Sequence, residues 1–194
     1  MVFQERTYGV LVVSASEKFV STTMALLPMT DYYPVDTARS VGQARRALLE
    51  RSYDIVIVNA PLPDDFGMQL AIDVCSDSAA GALLLVKSEL YDDVYARVME
   101  FGVLTLSKPT SQSVMTHSLR TLCAMRERMR RAEEKQASVE EKIEEIRLVN
   151  HAKWLLIQCL SMTEAEAHRY IEKQAMDTRQ SKRMVAENII RTYD

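Results

Sequence analysis

Arg179, Lys182 and Arg183 put three cations within five residues near the end of a 194-residue chain. Opening a helix, such a cluster suits phosphate groups, because unpaired N–H groups and the helix dipole add to the side-chain charge. Lys153, Arg169 and Lys173 extend the same segment, and His168 and Tyr170 offer rings that can stack on a planar ligand. Other chemistry is scarce. His117, His151 and His168 have no matching acid or cysteine cluster, and Cys75, Cys123 and Cys159 lie far apart and are odd in number. That pattern fits neither a zinc site nor a disulfide framework, so the cysteines are expected to pack as small apolar residues in a reducing compartment. No catalytic cluster stands out; the chain reads as a non-enzyme with neither a metal nor a cofactor.

The composition, 47% hydrophobic and 26% charged, is that of a globular protein with an adequate core. A net charge of −3 alone argues weakly against nucleic acid. Its distribution says more: residues 1–120 hold 10 Lys+Arg against 14 Asp+Glu, residues 121–150 hold 7 of each, and residues 151–194 hold 7 against 6. Affinity for a polyanion must therefore come from the C-terminal third. No apolar run approaches the roughly 18 residues that span a bilayer. The stretch Met1 to Gly9 lacks the features of a signal peptide, so a cytoplasmic location away from membranes is expected.

The first 120 residues alternate strand-like and helix-like segments. Val10 to Val13, Tyr33 to Asp36, Ile55 to Val58, Ala82 to Val86 and Val103 to Leu106 read as five short strands. Helices fall between them: Glu17 to about Leu27 behind an N-cap at Ser16, and Val41 to Arg51 with Val41, Ala44, Leu48 and Leu49 on one side. Two more follow, one through Met68 to Val74 and one over Asp92 to Phe101. This order predicts an α/β fold, a doubly wound parallel sheet with sites at the carboxyl ends of the strands.

From Leu119 the pattern predicts one long helix without Gly or Pro up to Ser161. Leu122, Met125, Met129, Ala132, Gln136, Val139, Ile143, Ile146 and Asn150 follow at spacings of three and four, which predicts a coiled-coil seam and a homodimer. Gln136 and Asn150 share a heptad position, where polar residues fix register. Early arginines and late glutamates leave parallel and antiparallel pairing open. Two short helices are then expected, one behind a Thr163/Glu166 capping box and one behind a second at Asp177/Gln180. Ala152, Trp154, Ala167 and Ala175 are expected to pack these helices together.

The N-terminal pattern resembles the receiver domain of two-component response regulators over about 120 residues, carried by the strand-helix order, the Pro61-Leu62-Pro63-Asp64 to Gly67 loop and the Lys108-Pro109 pair. The resemblance implies an acid pair for Mg²⁺ after the first strand, a phosphate-accepting Asp after the third, a hydroxyl after the fourth and a lysine after the fifth. Here those positions hold Ser14-Ala15, Asn59, Lys87 (with Ser88 one step beyond) and Lys108. Hard Mg²⁺ needs carboxylate oxygens and an amide is not a competent phosphoryl acceptor, so the expectation is a phosphorylation-incompetent pseudo-receiver. Asp54 lies at the wrong end of its strand to substitute, and Asp64 and Asp65 read as turn residues.

The C-terminal segment resembles the ANTAR family of transcription antitermination regulators, through Val149 to Leu156, Met162 to His168, Glu172 to Arg179 and Val185 to Ile190. The resemblance implies dimers that bind paired RNA hairpins in nascent transcripts. The resulting division is a pseudo-receiver over residues 1–120, a coiled-coil linker helix over 121–150 and an ANTAR RNA-binding domain over 143–194. Control by a partner such as a sensor or sequestering protein, by a ligand or by dimerisation is expected. The alternative is a dimerisation and docking module that does not bind RNA.

Overall fold

The computed structural model describes residues 6–193; the first residues of the polar N-terminal stretch and Asp194 lie outside the described residues. Two compact units divide the chain, one ending at Arg131 and the other starting at Ala132.

In the first unit the strands are β1 (Tyr8–Val13), β2 (Tyr32–Ala38), β3 (Ile55–Asn59), β4 (Gly81–Lys87) and β5 (Leu104–Lys108). They form one parallel sheet in the order β2-β1-β3-β4-β5. The runs Val10–Val13 and Ile55–Val58 are wholly buried, as strands covered on both faces must be. Alternate residues divide between two cores. Leu11, Val13, Val56, Val58, Leu84 and Val86 meet helices α2 (Val41–Glu50), α3 (Met68–Asp77) and α4 (Tyr91–Val98). Val10, Val12, Ile55, Ile57, Leu83 and Leu85 meet α1 (Glu17–Met24) and the start of α5 (Gln112–Leu160). The Ser16 hydroxyl caps α1 as expected, accepting from the Phe19 N–H at 3.3 Å.

Three departures from the sequence expectation concern packing. Helix α5 starts at Gln112, behind a Ser111 cap, rather than at Leu119, because Met115, Leu119 and Leu122 are needed to close the sheet's second face. Leu122, expected in the dimer seam, is therefore only 1% exposed, and a Cβ on Gly81 would lie 2.8 Å from its Cδ2. Leu49, expected on the inner side of α2, is 88% exposed. The docked part of α5 is held further by Asp54, whose Oδ1 accepts from Arg126 Nε at 3.1 Å and Arg130 Nη2 at 3.2 Å, while Oδ2 accepts from the Gly9 N–H at 3.0 Å. The compact unit thus reaches Arg131.

In the second unit the end of α5 packs with α6 (Glu164–Thr178) and α7 (Lys182–Tyr193) around Ala152, Leu156, Ala167, Ile171, Val185, Ala186 and Ile189. The Thr163/Glu166 capping box is formed in both directions. The Asp177/Gln180 start is not: Asp177 lies inside α6, and Ser181 begins α7, its Oγ accepting from the Met184 N–H at 3.2 Å. The chain has no glycine after Gly102, so Ser161 and Arg179 take the left-handed conformation at the ends of α5 and α6, at φ 55° and 54°. Trp154, expected to pack, is 52% exposed. Cys159 is exposed too, whereas Cys75 and Cys123 are half-buried.

Two measurements check this packing. Leu122→Ala removes a fully enclosed side chain and should lower the stability of the first unit by about 2–5 kcal/mol in denaturant titration. Burial, with a hydrogen bond to Asp36 Oδ2 at 2.8 Å, pushes the Tyr53 phenol up to about 12. A folded-state value above the usual one near 10 means a contribution present in full below pH 10 and lost as pH rises through 10 to about 12. Tyr53→Phe should flatten the alkaline fall in stability over that window.

Candidate functional site

At the carboxyl ends of β1 and β3 the strand order reverses, and a parallel sheet opens a crevice there. Ser14, Asn59 and Lys108 meet at this point. Lys108 Nζ donates to Asn59 Oδ1 at 2.7 Å and to the Ala60 carbonyl; Asn59 Nδ2 donates to the buried Ser14 Oγ at 2.9 Å. Lysine only donates, so the amide oxygen must face Lys108 and the nitrogen Ser14. Lys87 stands beside Lys108 in the β4–β5 register. Burial, then the Lys87 charge, pushes the Lys108 ammonium below its ordinary range. Ser88 Oγ donates instead to the Lys108 carbonyl, at 2.8 Å. Ala15 is exposed and brings no functional group.

The loop acids are engaged elsewhere. Asp64 accepts from the Gly42 and Val41 N–H groups, each at 2.9 Å, which hold its carboxyl below the usual carboxylate range and cap α2. Asp65 accepts from the Gly67 N–H at 2.7 Å. Among the described residues no three His, Cys, Asp or Glu side chains gather to hold a metal ion. What remains is a closed Ser14–Asn59–Lys108 chain in which each polar group has its partner.

The six candidate phosphate-binding cations all lie on the second unit, in two states. Arg169, Lys173 and Arg179 are exposed and form no ion pair among the described residues; Arg169 and Lys173 are four apart on α6 and share a face. Lys182 pairs with Glu172 at 2.7 Å, Arg183 with Glu187 at 3.0 Å, and Lys153, largely covered, with Glu164 at 3.3 Å. Exposed pairs of this kind hold weakly and exchange with a competing phosphate. Arg179 closes α6 rather than opening α7. His168 lies 3.4 Å from Glu172, and Tyr170 is exposed.

Of the expected seam, Val139, Ile143 and Ile146 are 47%, 46% and 60% exposed, and Ala132, Gln136 and Asn150 are exposed with them. Met125 and Met129, on the docked part of the helix, are uncovered as well. The uncovered spacing continues past Asn150 to Ile157 and Leu160, two positions the sequence reading left out although the three-and-four rhythm reaches them. Also unforeseen were Gln174, Asn188 and Tyr193, which share a hollow with Tyr170 between α6 and α7. The signal available was polar residues four apart on both helices, Gln174 with Thr178 and Asn188 with Thr192.

Residues 137–190 match the ANTAR domain. Over 184 residues, 94% of this chain and 89% of the relative, the sequence is 26% identical to transcriptional regulatory protein PdtaR of Mycobacterium tuberculosis. Among solved structures, the signal receiver domain of an HD domain-containing protein from Pseudomonas fluorescens Pf-5 matches with a TM-score of 0.58 and 24% identity, over 68% of this chain and 96% of that one. The structure of adenylate cyclase from Rhodopirellula baltica gives 0.62 and 17% over 68% and 98%. The non-phosphorylated HemR receiver domain from Leptospira biflexa gives 0.53 and 21% over 60% and 94%. These structural likenesses establish a receiver-like fold for the first unit.

The pocket geometry leads to a direct expectation. Beryllofluoride with Mg²⁺ should leave no protein-bound ¹⁹F resonance and no change in oligomeric state, because neither an acceptor carboxylate nor an acid pair is in place. Asn59→Asp alone should also fail, since Ser14 and Ala15 still supply no carboxylate to the cation. A bound resonance in the unaltered protein would contradict the reading of the pocket.

Proposed function

The chain carries an ANTAR domain behind a receiver-like domain, and from that premise we propose that it regulates transcription by binding hairpins in nascent leader RNA as a dimer, under control that does not pass through phosphorylation of Asn59. The observation that carries the reading is the coincidence of the ANTAR match with the α6–α7 surface bearing Arg169, Lys173, Arg179, Lys182 and Arg183. Basic side chains locate phosphates and set register, whereas bases in unpaired loops are read by stacking and hydrogen bonding. Cations without ion-pair partners contribute first, and the exposed pairs of Lys182 and Arg183 can trade a carboxylate for a phosphate.

Dimerisation is supported by apolar positions that stand about half exposed among the described residues. Val139, Ile143 and Ile146 repeat at heptad spacing on a helix whose opposite side, through Ala152 and Leu156, is already committed to the three-helix core. Two helices joined along this seam would remove that apolar surface from water and set two RNA-binding surfaces on one particle. The Ser14–Asn59–Lys108 chain supports regulation by a partner, a ligand or the dimer equilibrium, because its lysine is held by neutral groups and needs no phosphate to place it.

Two sets of variants test the proposal. Replacing Arg179, Lys182 and Arg183 together by Ala should abolish binding to a two-hairpin RNA from the chain's own leader and flatten its salt dependence, while light scattering still reports the dimer. Unchanged RNA binding would favour a docking module instead. Arg179→Gly separates charge from backbone: it should stabilise the second unit by about 1 kcal/mol by relieving the left-handed conformation, and it should still weaken RNA binding several-fold.

A further inference from the structure

Between α6 and α7 the second unit leaves an open hollow of about 230 Å³. Its floor is apolar, made by the buried Val185 and Ile189. Tyr170 and Tyr193 stand at its margin, each a little over one third exposed. Among the described residues that line it the polar groups are uncharged, with no Lys, Arg, Asp or Glu bordering the space. The two threonine hydroxyls are already used on their own helices, Thr178 Oγ1 donating to the Gln174 carbonyl at 2.6 Å and Thr192 Oγ1 to the Asn188 carbonyl at 2.8 Å. That leaves the side-chain amides of Gln174, Gln180 and Asn188, which have no hydrogen-bond partner among the described residues.

This lining discriminates between ligands by chemistry. A phosphate would find no cation in the hollow, and an apolar side chain would strand the amides without partners. A planar, uncharged group with both donors and acceptors on its edge suits it: amides supply both functions, and a tyrosine ring covers a planar face. The volume lies below the ≈ 300–1,000 Å³ of clefts that take drug-sized ligands, so the occupant is a single ring system. Arg179, without an ion pair among the described residues, sits in the chain between Thr178 and Gln180 and places a cation next to the cavity.

We propose that this cavity seats one unstacked base of an RNA loop, with Gln174 and Asn188 reading the base edge, Tyr170 stacking on its face and Arg179 holding an adjacent phosphate. The assignment rests on the RNA-binding reading above and adds to it where sequence is read, as distinct from where charge is neutralised.

The test uses the full chain and a pool of hairpin RNAs with a fully randomised loop. The unaltered protein should enrich one base at one loop position by about tenfold, the scale of a single stacked and hydrogen-bonded base. Asn188→Ala and Gln174→Ala should lose that preference while keeping the salt dependence and thermal unfolding of the parent. Arg179→Ala should instead weaken binding to all members of the pool alike. Asn188→Asp, which keeps the side-chain shape and exchanges a donor for an acceptor, should change the preferred base and guards against an alanine variant that fails to fold. Enrichment of the same base by the parent, Asn188→Ala and Asn188→Asp would overturn the proposal. So would RNA retention by the parent with no base preference, which would leave the RNA-binding reading standing. Retention of no RNA at all would remove both.

Discussion

Helix α5 has to satisfy several environments with one uninterrupted run of residues. Near its start Met115, Leu119 and Leu122 close a sheet face, and near its end Ala152 and Leu156 close a three-helix core. Between them Val139, Ile143 and Ile146 stand about half exposed. A helix can do this because its faces repeat every 3.6 residues and an apolar stripe can drift from one side to another along its length. The absence of glycine and proline from residue 110 onward keeps it continuous, and also forces Ser161 and Arg179 into a conformation that glycine would adopt without strain. Every surface assigned a role in the second unit is carried by this helix or by the two that pack against its end.

The receiver-like pocket holds neutral side chains where the receiver resemblance implies carboxylates. Receiver chemistry needs negative charge gathered at the strand ends, and the lysine there is useful because it answers that charge. With Asn59, Ser14 and Ala15 in those places, the lysine is left among neutral acceptors beside a second lysine, and burial works against its charge. The amide keeps the geometry by donating to Ser14 and accepting from Lys108. Order at the strand ends is thereby supplied by the protein's own groups, which supports the proposal that this domain's state is independent of phosphorylation.

The strands were legible because their signal is local: runs of Val, Ile and Leu too short for a helix and flanked by Asn, Pro or Gly. The ANTAR resemblance and the Thr163/Glu166 capping box were legible for the same reason. What was misplaced depends on partners distant in sequence. Leu122 fits the heptad rhythm as well as Met125 does, and only the space above Gly81 decides that it belongs to the sheet. Leu49 and Trp154 sit at helical spacings compatible with a core, yet each faces solvent. Asp177 and Ser181 both offer capping chemistry, and the turn ending α6 selects Ser181. The cavity between α6 and α7 was invisible because its residues become neighbours only when the two helices pack.

A binding titration of the full chain against a two-hairpin RNA from its own leader, with a scrambled-loop RNA as control and at two salt concentrations, tests the central claim most directly. The account predicts tighter binding to the native loops, with affinity for both RNAs falling as salt rises. Equal affinity for native and scrambled loops, or no binding at either salt concentration, would contradict it.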